Sequence, residues 1–119
     1  MRKDVKIGDK TIAMTCNAAS PVIYRQVFKQ DLLVFLQGML KARQKKQELP
    51  EGTSEMFGCL AYIMAKQAEK TTAECFRELS FDDYLEWLTG FAPLEIEQAG
   101  PDIMNLYYAT ENTTSKAKN

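Results

Sequence analysis

The densest group of side chains that could do chemistry is acidic and comprises Asp82, Asp83 and Glu86. Carboxylates this close in sequence can supply oxygen ligands to a hard cation such as Ca²⁺ or Mg²⁺. The same carboxylates follow Ser80 at the start of a predicted helix, where acidic residues stabilise the positive end of the helix dipole. Because the second interpretation needs no ligand, we predict a helix N-terminus here and no metal site.

The three cysteines, Cys16, Cys59 and Cys75, are the other candidates for nucleophilic or metal chemistry, and the chain contains no histidine. Their spacing matches no zinc motif, and a zinc site without histidine would need an unusual mixture of thiolates and carboxylates. The absence of histidine also excludes the Ser-His-Asp and Cys-His arrangements. No glycine-rich phosphate-binding motif occurs. We therefore predict buried thiols in a reducing cytoplasm, no cofactor and no enzymatic activity.

The composition and net charge indicate which kinds of partner the chain can bind. The chain has 119 residues, of which 45% are hydrophobic, and this suits one globular domain with its own core. Its 15 basic and 16 acidic residues give a net charge of −1. Nucleic-acid binding and attraction to an anionic membrane both need a surplus of Lys and Arg, so neither is predicted. The sequence contains no transmembrane-length apolar run and no signal-peptide pattern, which favours an intracellular location.

The elements that must position these side chains begin with a β-hairpin at about residues 4–15. Val5 and Ile7 alternate along a first extended run, and Gly8 opens a turn before a second run. Ser20 and Pro21 then favour a helix start, with Ser20 as the N-cap. That helical pattern extends to about Gln47, with a break near residues 29–31 where Asp31 can cap a second helix.

The apolar stripe of this segment is wide enough to predict a central position in the fold. It consists of Phe28, Leu32, Phe35, Leu36, Met39 and Leu40, widened by Leu33 and Val34. Further helices are predicted at about residues 55–70, from Ser80 to Gly90, and at 102–110 after an interruption at Gly100-Pro101, with a partly helical connector at 71–79. The predicted fold is therefore mainly α: one domain over residues 1–110 with four to five helices, and a flexible polar tail at 111–119.

Four side chains are candidates for partner binding: Trp87, Met104, Tyr107 and Tyr108. Trp87 lies beside Tyr84 and Leu88 and can anchor an interface, although filling the core is the favoured interpretation. Adjacent tyrosines on a short last helix suit a surface that is alternately wet and bound. The sequence thus indicates binding through apolar helical faces.

The chain resembles the small tail assembly chaperones of long-tailed, siphovirus-type bacteriophages and prophages of Gram-positive bacteria. The blocks that carry the resemblance are V-K-I-G-D-K-T-I (5–12), S-P-V-I-Y-R-Q-V-F-K-Q-D-L-L (20–33), A-Y-I-M-A-K-Q-A (61–68) and S-F-D-D-Y-L-E-W-L (80–88). Their order matches as well, so the resemblance spans nearly the whole chain. None of the blocks is a catalytic signature.

The resemblance implies a protein that binds the tape measure protein in the host cytoplasm, helps tail tube subunits assemble around it, and is absent from the mature virion. It further implies a frameshifted longer product that recruits the tail tube protein. Independently of the resemblance, self-association would cover the wide apolar stripe of so small a protein, so a homo-oligomer is also expected. Ala117-Lys118-Asn119 is compatible with a slippery heptamer in the gene. Two alternatives remain open: a structural phage component, such as a head–tail connector or minor tail protein, and a small DNA-binding regulator.

Overall fold

The fold is a helical domain with a β-hairpin at its N-terminus. The computed structural model describes the backbone of residues 1–117 and the side chains of residues 1–109. Its elements are β1 (Arg2–Ile7), β2 (Lys10–Thr15), α1 (Ser20–Phe28), α2 (Leu32–Gln44), α3 (Thr53–Glu69), α4 (Thr72–Glu78), α5 (Phe81–Leu88) and α6 (Pro93–Ala117). The predicted class, mainly α with an N-terminal hairpin, is confirmed, with six helices over residues 1–117 instead of four to five.

The hairpin contributes one face of a two-stranded antiparallel sheet to the core. The register sets Val5 opposite Ile12, and the alternation of side chains along β1 buries Val5 and Ile7. Gly8 opens the two-residue turn with a φ of +64°, at the position where a type II′ turn requires glycine. The Glu95 carboxylate fills the space that a Cβ of residue 8 would need. The turn is therefore fixed by backbone conformation and by contact with α6.

Helix α3 is the centre of the fold and contacts β2, α1, α4, α5 and α6. Its middle section is buried on every side: Leu60, Ala61, Tyr62, Ile63, Met64 and Ala65. A helix that is apolar all round is a core helix. Our expectation that the segment around residues 28–40 is central is wrong, because α2 buries one face only and leaves Leu33, Val34 and Leu40 exposed.

The predicted break between α1 and α2 is confirmed. Lys29 ends α1 with a left-handed φ of 58°. Asp31 is the N-cap of α2, and its Oδ1 accepts from the backbone N–H groups of Leu33 at 3.0 Å and Val34 at 3.3 Å. These bonds satisfy two of the N–H groups that a helix start leaves without an intrahelical partner.

The other end of α2 closes with two backbone bonds of the Schellman type. The N–H of Gln47 donates to the carbonyl of Ala42 at 2.8 Å, and the N–H of Lys46 donates to the carbonyl of Arg43 at 3.1 Å. Lys46 has a φ of 55°, a conformation that favours glycine. A lysine thus occupies the position where helices most often carry glycine.

The predicted N-cap role of Ser20 is wrong, because its hydroxyl bonds elsewhere. Ser20 is the first residue of α1 and is fully buried. Its Oγ donates to Oε1 of Gln67 at 2.6 Å and accepts from the N–H of Asn17 at 3.0 Å. Nε2 of Gln67 donates in turn to Oδ1 of Asn17 at 3.2 Å. A buried polar network therefore joins the start of α1 to α3.

Two side-chain caps begin the short helices. The Thr71 hydroxyl accepts from the N–H of Glu74 at 3.2 Å, and the Glu74 carboxylate accepts from the N–H of Thr71 at 3.0 Å. This capping box begins α4, which is a helix where we predicted a partly helical connector. Ser80 caps α5 as predicted, accepting from the N–H of Asp83 at 3.1 Å. Oδ2 of Asp83 accepts from the Tyr62 hydroxyl at 2.6 Å and so ties α5 to α3.

Helix α6 runs through Gly100 and Pro101 without a break, so the predicted interruption there is wrong. Pro101 lacks the N–H that would bond to the carbonyl of Glu97, and this removes one helical bond. The usual clash between a proline ring and the preceding Cβ is absent because residue 100 is glycine. Ile96 and Ile103, on either side of the proline, are both buried. Burial of this shared face keeps α6 in one piece.

The tail predicted at residues 111–119 overlaps the last turns of α6, whose backbone is helical to Ala117. Side chains from residue 110 onward and residues 118–119 lie outside the described part of the chain. The flexibility of the tail stays a prediction.

Candidate functional site

The four residues predicted to bind a partner do not form one site. Met104 and Tyr107 point into the core, with 7% and 3% of their surface exposed. Tyr108 is 38% exposed and lies by a crevice of about 30 Å³ that Met104 and Leu40 also line. Trp87 is half-buried and belongs to a different cluster. In this conformation, Tyr108 and part of Trp87 present surface that another protein could contact.

An aromatic cluster joins α1, α3 and α5 and contains Trp87 at its edge. The ring of Phe28 is its centre, with centroid distances of 5.0 Å to both Tyr24 and Tyr84 and 6.3 Å to Tyr62. Tyr62 lies 5.8 Å from Trp87. Contacts of this kind add stabilisation beyond the apolar area that they bury. The cluster therefore fixes the position of α5 against α3.

All three cysteines pack in or against the hydrophobic core. Cys16 and Cys75 are buried, as predicted, whereas Cys59 is half-buried. The Cys59 thiol raises the pKa of both Tyr24 and Tyr84, although burial of these hydroxyls raises it more. Burial raises the pKa of Cys59 above its ordinary value, more than the two tyrosine hydroxyls lower it. The raised pKa favours the protonated thiol over the nucleophilic thiolate.

The acidic group at the start of α5 stays on the surface. Asp82, Asp83 and Glu86 are exposed, and the Asp83 carboxylate is engaged by Tyr62. Among the described residues, no group of three or more His, Cys, Asp or Glu side chains is arranged to hold a metal ion.

Helices α1, α2 and α4 expose five large apolar side chains, which we call together the exposed apolar patch. It consists of Val22 on α1, Leu33, Val34 and Leu40 on α2, and Phe76 on α4. Val34 is 63% exposed and Leu40 is 55% exposed. Leu33 and Leu40 lie seven residues apart, which places them on the same side of α2. Extended exposed apolar surface of this kind is typical of binding sites.

Part of the patch lines a groove of about 650 Å³ between α1, α4 and the start of α2. Val22, Leu33 and Phe76 supply its apolar walls. Arg25 and Lys29 lie along it with Asp31, so the groove carries more positive than negative charge. The other end of the patch meets Tyr108, because Leu40 and Tyr108 line the same crevice. Tyr108 is thus the predicted binding residue that borders the patch.

Two further clefts lie along the first half of α3. One has a volume of about 360 Å³ and is lined by aromatic side chains that include Phe28, Phe35 and Phe81. The other has a volume of about 390 Å³ and lies between α3, the end of α5 and the start of α6. Glu55 lines both clefts. We call the two clefts together the acidic trough, since Glu51, Glu55 and Glu97 line them against one cation, Lys29.

Sequence reasoning missed the exposed apolar patch although a signal was present. Residues 32–36 are all apolar, and five consecutive residues cannot all face one side of a helix with 3.6 residues per turn. Such a run occurs either in a helix that is buried on every side, as α3 is, or in one that exposes part of its apolar surface. We interpreted the surplus as a sign of central burial, whereas it marked surface.

No family model, curated protein or solved structure matches the chain. Among the described residues, no helix combines the length and the apolar character that crossing a bilayer would require.

Proposed function

We propose that the chain is a non-catalytic binding protein, a tail assembly chaperone that binds the helical tape measure protein of a long-tailed phage and keeps it available for tube assembly. The observation that supports this most is the exposed apolar patch, with Leu33, Val34 and Leu40 on one helix. A client helix with its own apolar stripe would cover such a surface by helix packing.

The size of the patch suggests how binding would work. Complete burial of a Val or Leu side chain stabilises by about 1.5–3 kcal/mol. Since Val34, Leu33 and Leu40 are already partly buried, covering each of them on binding would contribute roughly half of that free energy. A few such contacts barely offset the entropy lost on association, which costs at least about 4 kcal/mol. One copy on one client site is therefore weak, and a long client with many sites would gain from several bound copies.

Co-expression with the tape measure protein of the same phage tests this function. We expect the soluble fraction of the tape measure protein to rise when the chain is present. Mass spectrometry of purified virions distinguishes the alternatives: an assembly chaperone is absent from finished particles, whereas a connector or minor tail protein is present in fixed copy number. An unchanged soluble fraction, or stoichiometric recovery from virions, would contradict the proposal.

A further inference from the structure

The acidic trough is a second surface that the exposed apolar patch does not use. Its floor is the first half of α3, where Glu55, Gly58 and Cys59 face the two clefts. Gly58 lets the walls of the trough pack closely on α3, because a Cβ there would come within 2.9 Å of the Tyr84 hydroxyl and within 4 Å of Leu88 and Ile96. Large apolar side chains stand on both sides of this floor, so an entering side chain would meet apolar walls.

The side chains that line the trough carry mainly negative charge. Three carboxylates line it, those of Glu51, Glu55 and Glu97, against the single ammonium group of Lys29. All three glutamates are exposed, and Glu97 also accepts a hydrogen bond from Ser54 at 2.9 Å. The groove beside the exposed apolar patch has the opposite balance, with Arg25 and Lys29 against Asp31. The two surfaces therefore favour partners of different charge.

The wall formed by α5 is held in place before any partner arrives. Tyr84 packs on Phe28 of α1 at a centroid distance of 5.0 Å, and Tyr62 of α3 donates to Asp83 at 2.6 Å. Phe81, the first residue of α5, packs on Tyr84 at a centroid distance of 5.9 Å and still has 52% of its surface exposed. Such preorganisation lowers the entropy cost of binding. Phe81 is thus a fixed aromatic contact at the edge of the trough.

We propose that the acidic trough is a docking site for an amphipathic helix of a partner protein, whose apolar face enters the two clefts and whose flanking Lys or Arg side chains meet Glu51, Glu55 and Glu97. The two clefts adjoin at Glu55, so each can take one apolar side chain of the same helix, as in other helix-in-groove complexes. The volume of each cleft is at the lower end of the range for small-molecule pockets. A cleft of this size suits one large side chain of a partner more than a free metabolite. The inference is independent of whether the chain assists phage tails.

A synthetic amphipathic helix of about five turns, with leucines on one face and lysines beside them, is the probe. We expect the full chain to bind it, with changes in amide chemical shift centred on residues 52–59 and 81–88. A matched peptide with glutamates in place of the lysines should bind far more weakly. Glu55→Lys should weaken binding of the lysine peptide by about tenfold, equivalent to about 1.4 kcal/mol. Glu69→Lys, an exposed position near the other end of α3, should leave it unchanged.

Equal binding of the two peptides, or equal affinity of the Glu55→Lys and Glu69→Lys chains, would overturn the proposal. Shift changes confined to Val22, Leu33 and Phe76 would do so as well, since they would assign the peptide to the exposed apolar patch. Sedimentation of the chain without peptide tests whether the trough binds a second copy of the chain instead. A dimer of the parent chain that is lost in the Phe81→Ser variant would show this and would also overturn the proposal. Melting curves of each variant confirm that the compared chains are folded.

Discussion

The ring of Phe57 on α3 lies directly against the backbone of Gly100 on α6. A Cβ added to Gly100 would come within 2.6 Å of two carbons of that ring. The close approach of the two helices therefore depends on glycine at this position. Gly100 directly precedes Pro101, through which α6 continues without a break.

Gly100→Ala should destabilise the protein because its new methyl group overlaps the Phe57 ring and also restores the clash with the Pro101 ring. Overpacking of this kind costs about 1–3 kcal/mol, more than the gain of about 0.5–1 kcal/mol that alanine brings to a helix interior. Urea unfolding measures the difference. Gly38→Ala in α2 is the control, since its Cβ would meet only Pro50 at 3.7 Å, an ordinary contact, and it should stabilise. Equal gains in both variants would show that Phe57 has room to move.

Lys46→Gly should stabilise the end of α2. Residue 46 has a φ of 55°, and a side chain in the left-handed region costs about 1 kcal/mol that glycine avoids. The neighbouring substitution Lys45→Gly removes the same charge at a φ of −91° and should lower stability slightly instead. Thermal melts of the two variants give the comparison. If both change the melting temperature alike, loss of charge rather than backbone conformation is responsible.

Ser20→Ala should cost about 1–3 kcal/mol, because it leaves the buried Oε1 of Gln67 without the hydrogen bond that the Ser20 hydroxyl donates. The exposed hydroxyl of Ser54 bonds to Glu97 at 2.9 Å, and Ser54→Ala should stay within about 0.5 kcal/mol of the parent chain. Chemical denaturation of the three chains checks the difference. A cost for Ser20→Ala no larger than that for Ser54→Ala would mean that water replaces the lost hydroxyl.

The stability of the fold should decline in alkali. Burial raises the pKa of Tyr24, Tyr62 and Tyr84 above the ordinary value, and interactions with Cys59 or Asp83 raise it further. The unfolded chain releases these protons from about pH 10 upward, whereas the folded chain retains them. The free energy of unfolding is therefore insensitive to these groups below about pH 10 and falls above it.

Unfolding in urea at several pH values measures this decline, and Tyr62→Phe should make it shallower by removing one of the three groups. Tyrosinate absorbance of the denaturant-unfolded chain provides the reference titration. An equally steep decline in the Tyr62→Phe chain would show that Tyr62 does not contribute.

Local signals made much of the fold predictable. The turn at Gly8, the break capped by Asp31 and the start of α5 at Ser80 are each decided by a few neighbouring residues. The continuity of α6 through Pro101 was not predictable in this way, because it depends on burial of Ile96 and Ile103 against the rest of the fold. The role of Ser20 likewise depends on Gln67, 47 residues away.

The candidate surfaces were less predictable than the helices. Periodicity shows that an apolar face exists but not what covers it, so the surplus apolar residues of α2 pointed equally to a central helix and to an exposed one. The acidic trough is assembled from the start of α3, α5 and the start of α6, and its charge is visible only when Glu55 and Glu97 are brought together.

Val34→Lys tests the central proposal, binding of a client through the exposed apolar patch, most directly. Val34 and Leu94 are similarly exposed, at 63% and 58%, but Leu94 lies outside the patch, so Leu94→Lys is the matched control. The measurement is the soluble fraction of the tape measure protein on co-expression, with urea midpoints confirming that both variants are folded. We predict that Val34→Lys lowers this fraction several-fold and that Leu94→Lys preserves it. Equal soluble fractions with both variants and the parent chain would contradict the account.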